Sequence, residues 1–189
     1  TFSGSALNMS TNATFTVNAG STSSMGNVIA GDFGLSKAGT GSLTLSGQNY
    51  TGATTVSAGT LTLASGATMS AGALTVAAGA SLVLNSSAMT STLTGSGAIA
   101  IGTGAVFTLN TTSGSPQFLG TFSGAGSLVK SGGGEVLFAG DNSGLTGAIT
   151  VNGGMISVQN SFSTLGSGDV TVTANATIGT FTGSGFTTP

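Results

Sequence analysis

Short segments in which hydrophobic and hydroxyl-bearing residues alternate dominate the sequence. Clear examples are residues 13–17, 42–46, 60–63 and 169–173. A period of two places the hydrophobic side chains on one face of an extended chain and Ser or Thr on the other. No window has the hydrophobic spacing of an amphipathic helix. The pattern therefore predicts an all-β protein with almost no helix.

A strand–turn–strand unit recurs along the chain. Copies occupy residues 55–63, 72–84, 97–109 and 147–158, and a last one begins at 168. Their spacing of roughly 20–25 residues is in the range of one solenoid coil. We therefore predict that residues 1–189 form a single parallel β-helix repeat array of roughly eight or nine coils, about 40 Å long. The turn at Asn152–Gly153 is predicted to be a corner between coil faces rather than a hairpin.

A longer repeat overlies this unit. Residues 35–61 read LSKAGTGSLTLSGQNYTGATTVSAGTL, and residues 128–156 repeat the pattern with Glu135 before the hydrophobic pair and Leu145 in place of the tyrosine. These segments resemble the autotransporter-associated β-strand repeat of bacterial passenger domains, and together they cover about a third of the chain.

The resemblance implies a right-handed parallel β-helix that forms the exported, surface-exposed part of a larger protein. It implies a Gram-negative or similar envelope and an extracellular, cell-surface location. Any membrane attachment would come through a translocator barrel outside this sequence. The implied role is structural, as a stalk or adhesin-type display module. Its partners would be neighbouring coils of the parent chain or a receptor on a host or other cell.

The composition removes most chemical functions. Charged residues make up 3% of the chain, with two lysines, four acids and a net charge of −2, and there is no His or Cys. Without these two residue types the commonest general base, thiolate nucleophile and zinc ligands are absent. Two cations cannot neutralise a row of phosphates, so nucleic acid is not an expected partner. We therefore predict no enzyme activity, small-molecule substrate or cofactor, and no catalytic residue or metal ligand.

The few charged residues receive structural interpretations. Asp32 with Lys37, and Lys130 with Glu135, are predicted to be coil-edge ion pairs or solvated charges rather than parts of a polysaccharide lyase or hydrolase site. The segment 141–144, Asp-Asn-Ser-Gly, has oxygen ligands but lacks the calcium β-roll pattern. It is therefore predicted to be an Asx turn.

Two further patterns concern the faces of the predicted solenoid. Phe15, Phe107 and Phe138 are the candidates for aromatic stacking inside it. Four Thr-x-Thr pairs suggest an ice-binding surface as one alternative, although exposed strand threonine is the simpler interpretation. These pairs are Thr14/Thr16, Thr60/Thr62, Thr92/Thr94 and Thr171/Thr173.

The sequence near the two termini is consistent with two versions of the structural role. Repeat-like sequence extends from residue 2 to Phe186 without an amphipathic cap helix. A solenoid exposes unpaired strand edges at its terminal coils. We therefore expect either a segment of a longer rod or, as the alternative function, a self-assembling extracellular fibre subunit joined end to end.

Overall fold

The computed structural model describes residues 6–69, 71–159, 163–173 and 175–181, and these residues contain strands but no helix. The strands are β1 (Leu7–Asn8), β2 (Ala13–Thr16), β3 (Thr22–Gly31), β4 (Leu35–Ala38), β5 (Ser42–Tyr50), β6 (Thr54–Val56), β7 (Thr60–Leu63), β8 (Ala73–Val76), β9 (Ser81–Leu84), β10 (Ala88–Thr90), β11 (Thr92–Gly95), β12 (Ala98–Ile101), β13 (Val106–Asn110), β14 (Gln117–Phe118), β15 (Thr121–Ser123), β16 (Ser127–Ser131), β17 (Glu135–Phe138), β18 (Ile149–Val151), β19 (Gly154–Gln159), β20 (Val170–Val172) and β21 (Ala176–Phe181).

The strands form three parallel sheets, which confirms the predicted β-solenoid. Sheet A has seven strands (β1-β3-β5-β7-β9-β12-β15), sheet B has nine (β2-β4-β6-β8-β11-β14-β17-β19-β21) and sheet C has five (β10-β13-β16-β18-β20). Partners in sheet B lie about one coil apart: Leu35 pairs with Thr54, 19 positions on, and Gly95 with Phe118, 23 positions on. The sheets therefore make a stack of about eight coils.

The coil changes its cross-section along the stack. Near the N-terminus, β3 and β5 are long strands of 10 and 9 residues, and their pairing is interrupted by a register shift between Met25 and Val28. From β9 to β17 the chain passes through sheets A, C and B in turn. Beyond β15, a single bridge between Gly124 and Leu145 continues the face of sheet A.

Hydrophobic side chains stack on one another inside the coils. In sheet A, one column consists of Leu43, Leu61, Leu82, Ile99 and Phe122, all of them buried. Residues between these positions point outwards, as the period-two pattern predicted. Burial of one such side chain contributes about 1.5–3 kcal/mol, so the columns hold neighbouring coils together.

An aromatic cluster fills the middle of the core. The Phe122 ring centroid lies 5.0 Å from that of Phe118, 5.2 Å from that of Phe138 and 6.3 Å from that of Phe107. The prediction for Phe107 and Phe138 is confirmed, whereas Phe15 is only partly buried at the edge of the core. The central ring, Phe122, was not among the predicted residues.

Glycines form the corners where a strand of sheet B turns towards sheet A. Gly39 and Gly59 have positive φ angles of 74° and 65°, a conformation that favours glycine. A Cβ atom on Gly59 would lie 2.3 Å from the carbonyl oxygen of Gly41 in the coil below. Asn152–Gly153 lies between β18 and β19, which belong to sheets C and B. The prediction of a corner there is confirmed.

Candidate functional site

Lys37 occupies an inward position of sheet B that hydrophobic residues fill in adjacent coils. It pairs with Phe15 on one side and Val56 on the other, and its side chain is fully buried. Its Nζ donates hydrogen bonds to the carbonyl oxygens of Ala38 (3.0 Å), Gly39 (2.8 Å) and Ala58 (3.2 Å). Two of these carbonyls belong to the corner after β4 and the third to the corner of the next coil. The amine therefore joins two successive corners.

Lys130 repeats this arrangement in sheet C. It is fully buried in the column between Leu109 and Val151. Its Nζ donates to the carbonyl oxygens of Ser131 (2.6 Å), Gly132 (2.9 Å), Gly153 (3.2 Å) and, at longer range, Thr111 (3.4 Å). Thr111, Ser131–Gly132 and Gly153 lie on three successive coils, so this amine also joins adjacent corners. We call each such amine and its carbonyls a lysine clamp.

The prediction that these lysines are coil-edge ion pairs or solvated charges is wrong. Both amines are inside the coil, and carbonyl dipoles rather than carboxylates surround them. Burial lowers the pKa of the Lys37 and Lys130 ammonium groups because removal of water disfavours the charged form. The signal in the sequence was the shared Lys-x-Gly, in which the glycine turns the corner and the lysine reaches its carbonyls.

The two clamps lie at different corners of the solenoid. Lys37 precedes the corner from sheet B to sheet A, whereas Lys130 precedes the corner from sheet C to sheet B. The two copies of the longer repeat therefore begin on different faces of the coil, the first in sheet B and the second in sheet C. In both copies the clamp forms where the Lys-x-Gly segment reaches a corner, and a carbonyl of an adjacent coil completes it.

The carboxylate of Glu135 joins three coils on the outer face of sheet B. One oxygen accepts a hydrogen bond from Ser115 Oγ at 2.8 Å, and the other accepts one from Ser157 Oγ. Asp32 likewise accepts from Thr51 Oγ1 at 3.0 Å, one coil further along. The two acids that sequence reasoning placed beside lysines are bonded to hydroxyl groups instead.

The segment 141–144 forms the predicted Asx turn. Asp141 Oδ1 accepts hydrogen bonds from the Ser143 backbone N–H and from Thr164 Oγ1, both at 2.9 Å. These bonds hold the pKa of the Asp141 carboxyl below its ordinary value because they favour the charged form. The turn thus has a structural explanation that requires no cation.

Asn142 is a buried polar connection between coils. Its Oδ1 accepts from the Phe122 backbone N–H at 2.7 Å, and its Nδ2 donates to the carbonyl oxygens of Gly140 (3.2 Å) and Thr164 (2.7 Å). Residues 122, 142 and 164 belong to successive coils. The amide therefore satisfies backbone groups above and below its own corner.

The other candidate surfaces are dispersed. The four Thr-x-Thr pairs lie on all three sheets, so they do not form one flat array. A shallow cavity of about 260 Å³ contains Asp32 as its only acidic lining residue. Within residues 6–69, 71–159, 163–173 and 175–181, no cluster of three or more His, Cys, Asp or Glu side chains could hold a metal ion. The described residues also contain no helix long and apolar enough to cross a membrane.

Comparison with known proteins identifies one repeat family. The family model of the passenger-associated-transport-repeat matches residues 35–63, 58–84 and 128–158, which together make up less than half of the chain. The first and third matches contain Lys37 and Lys130, the lysines of the two clamps. No curated protein and no solved structure matches the chain. The chain therefore contains three passenger-associated-transport-repeats and resembles the autotransporter passenger domains that carry the repeat.

Proposed function

We propose that this protein is a structural, non-enzymatic rod of a passenger-type protein that is exported to the bacterial cell surface. Its role would be that of a stalk or adhesin-type module that holds other parts of the exported protein away from the membrane. The passenger repeats support export, and the continuous parallel sheets support stiffness.

The hydrogen bonds that the polar side chains make between coils are the main support for the proposal. Among the groups from which binding or catalytic chemistry could be built, six bond residues of adjacent coils: Lys37, Lys130, Asp32, Glu135, Asp141 and Asn142. Side chains engaged in this way stiffen the stack. A spacer needs this property, whereas a catalytic site needs a group free to act on a substrate.

Protease treatment of intact cells that express the protein in its native host tests the proposal. An epitope tag inserted at the exposed corner residue Ser65 should be accessible to antibody on intact cells. The rod should resist protease until the cells are heated. Restriction of the tag to the cell interior would contradict the display role. Turnover of an added acidic polysaccharide that Glu135→Gln abolishes would contradict the non-enzymatic role.

Adhesin-type contact would be a second form of the same role. Cells that display the protein would then bind host or bacterial cells, and the purified rod would compete with them. Display without binding would identify a stalk.

A further inference from the structure

The outer face of sheet A carries an ordered array of hydroxyl groups. Strands β3, β5, β7 and β9 pair without a register shift over residues 22–25, 42–45, 60–63 and 81–84, so their outward residues form two parallel columns. One column consists of Thr22, Ser42, Thr60 and Ser81, and the other of Ser24, Thr44 and Thr62. We call these seven residues the hydroxyl array. Its row on β7 is a Thr-x-Thr pair, whereas serines complete the other rows, so the strand register was needed to recognise the array.

The hydroxyl array has a fixed spacing in two directions. Neighbouring strands place the hydroxyl groups of one column about 4.7–4.9 Å apart, and the columns are separated by two residues along each strand, about 6.6–6.8 Å. The coils hold the strands in register, and the χ1 angle of threonine is restricted in an extended chain. The hydroxyl oxygens are therefore held on a rectangular grid before any ligand binds.

The hydroxyl groups of the array are available to solvent. All seven residues are exposed or half-buried, and none of their side-chain oxygens has a hydrogen-bond partner in the described part of the chain. On sheet B, in contrast, Thr75 Oγ1 and Thr94 Oγ1 hydrogen-bond to each other at 3.0 Å. Ala38 also interrupts a second column there, two residues after Ser36. Sheet A therefore presents the more regular set of unpaired hydroxyl groups.

The two columns are also free of charge and of aromatic rings. Beyond the array they continue through Val83, Ala98, Ala100, Thr121 and Ser123. Sites for organic ligands are concave and lined mainly by hydrophobic and aromatic side chains. An open, neutral face of hydroxyl groups instead fits a ligand that is itself neutral and made of hydrogen-bonding units on a grid.

We propose that the hydroxyl array of sheet A binds ice. Fixed hydroxyl groups hold first-shell waters by hydrogen bonds, and the array spaces these waters by about 4.7–4.9 Å in one direction and 6.6–6.8 Å in the other. The prism face of ice repeats its water molecules on a rectangular grid with a shorter and a longer edge of similar size. Waters on the array would therefore continue into the crystal. This function goes beyond the proposed stalk role and does not depend on it.

Thermal hysteresis, the gap between the melting and growth temperatures of a single ice crystal, tests the proposal. The purified chain should produce such a gap and give faceted crystals. Thr62→Lys places a charge within the array and should abolish the gap. Thr55→Lys is the matched control, because Thr55 is a half-buried, outward threonine of sheet B, and it should retain the gap. Both variants should keep the far-UV circular dichroism spectrum of the parent chain.

Extension of the array tests the same face through a gain of activity. Val83, Ala98 and Ala100 are the outward positions of β9 and β12 that lack a hydroxyl group. Val83→Thr with Ala98→Thr and Ala100→Thr should widen the gap at equal protein concentration. Ala98→Val with Ala100→Val is the control, because valine has the shape of threonine without the hydroxyl group. This control should leave the gap of the parent chain unchanged.

Four results would overturn the proposal. The first is the absence of thermal hysteresis in the purified chain, and the second is an equal loss in Thr62→Lys and Thr55→Lys. The third is an equal gap for the threonine and valine extensions. The fourth is binding of the chain to crystalline cellulose without an effect on ice growth, which would assign the array to a polysaccharide instead.

Discussion

Replacement of Lys37 by methionine isolates the contribution of one lysine clamp. The two side chains have similar length and volume, but methionine has no donor for the corner carbonyls. Ala38 O keeps a hydrogen bond from the Val17 backbone N–H. For the carbonyls of Gly39 and Ala58, no other donor exists in the described part of the chain. The substitution therefore leaves two inward-facing carbonyl oxygens without a partner.

Two effects of opposite sign determine the result. A buried carbonyl that loses its partner costs about 1–3 kcal/mol, and water reduces this cost for the half-buried Gly39 and Ala58. Removal of a desolvated charge is favourable and offsets a further part of the cost. We expect a net loss of about 2 kcal/mol in the free energy of unfolding, which lowers the melting temperature by about 4–8 °C for a chain of this size.

Thermal unfolding followed by far-UV circular dichroism measures this change. Leu35→Met is the matched control, because Leu35 is a fully buried residue of the same strand, β4, two positions before Lys37. This volume-conserving exchange should cost less than about 1.5 kcal/mol. If Lys37→Met melts at or above the temperature of Leu35→Met, relief from burying the charge outweighs the clamp, and the reasoning is refuted.

Three further predictions concern the core. Stability should rise with pH towards 10 because burial lowers the pKa of Lys37 and Lys130 below 10.5, so the unfolded chain binds more protons in that interval. Well above 10.5, where the lysines of the unfolded chain have also lost their protons, the trend should reverse, because burial raises the pKa of Tyr50 and the folded chain then binds the additional proton; melting curves from pH 8 to 12 check both slopes, and Lys37→Met with Lys130→Met should flatten the rise. Gln48→Met should stabilise the protein by about 1–2 kcal/mol, because the amide Nε2 and Oε1 of this buried side chain have no hydrogen-bond partner among the described residues. Urea denaturation measures the change, and a loss of stability would contradict that interpretation. Phe122→Ala should cost about 3–5 kcal/mol in the same assay, and a loss below 1 kcal/mol would show that the aromatic cluster does not support the coils.

The sequence was sufficient to predict the stack because its signals are local and repeated. Alternation at Thr60–Leu63 determines which face is buried, and repetition about every 20 residues brings equivalent faces together. Asn152–Gly153 could be assigned to a corner because other copies have small residues at the same point. The Asx turn at Asp141 was predictable for the same reason, since its hydrogen bond to Ser143 spans two residues.

The lysine clamps could not be predicted from composition rules. Lysine is almost never fully buried without a partner, so placing Lys37 and Lys130 at the surface was the natural expectation. Their partners include carbonyls of the preceding or next coil, whose positions depend on the stacking register. The central role of Phe122 depends on how the coil closes, because its ring in sheet A meets those of Phe118 and Phe138 in sheet B.

Distances between spin labels test the central claim, a stack of coils in register, most directly. The chain has no cysteine, so introduced cysteines can be labelled specifically. Thr14, Thr94 and Leu137 belong to one outward column of sheet B, with Thr94 four strands and Leu137 six strands from Thr14.

Pulsed electron–electron double resonance should give about 19 Å for the Thr14→Cys, Thr94→Cys pair and about 29 Å for the Thr14→Cys, Leu137→Cys pair. Narrow distributions that differ by two strand spacings would confirm the stack. Broad distributions, or a Leu137 distance no longer than the Thr94 distance, would contradict it.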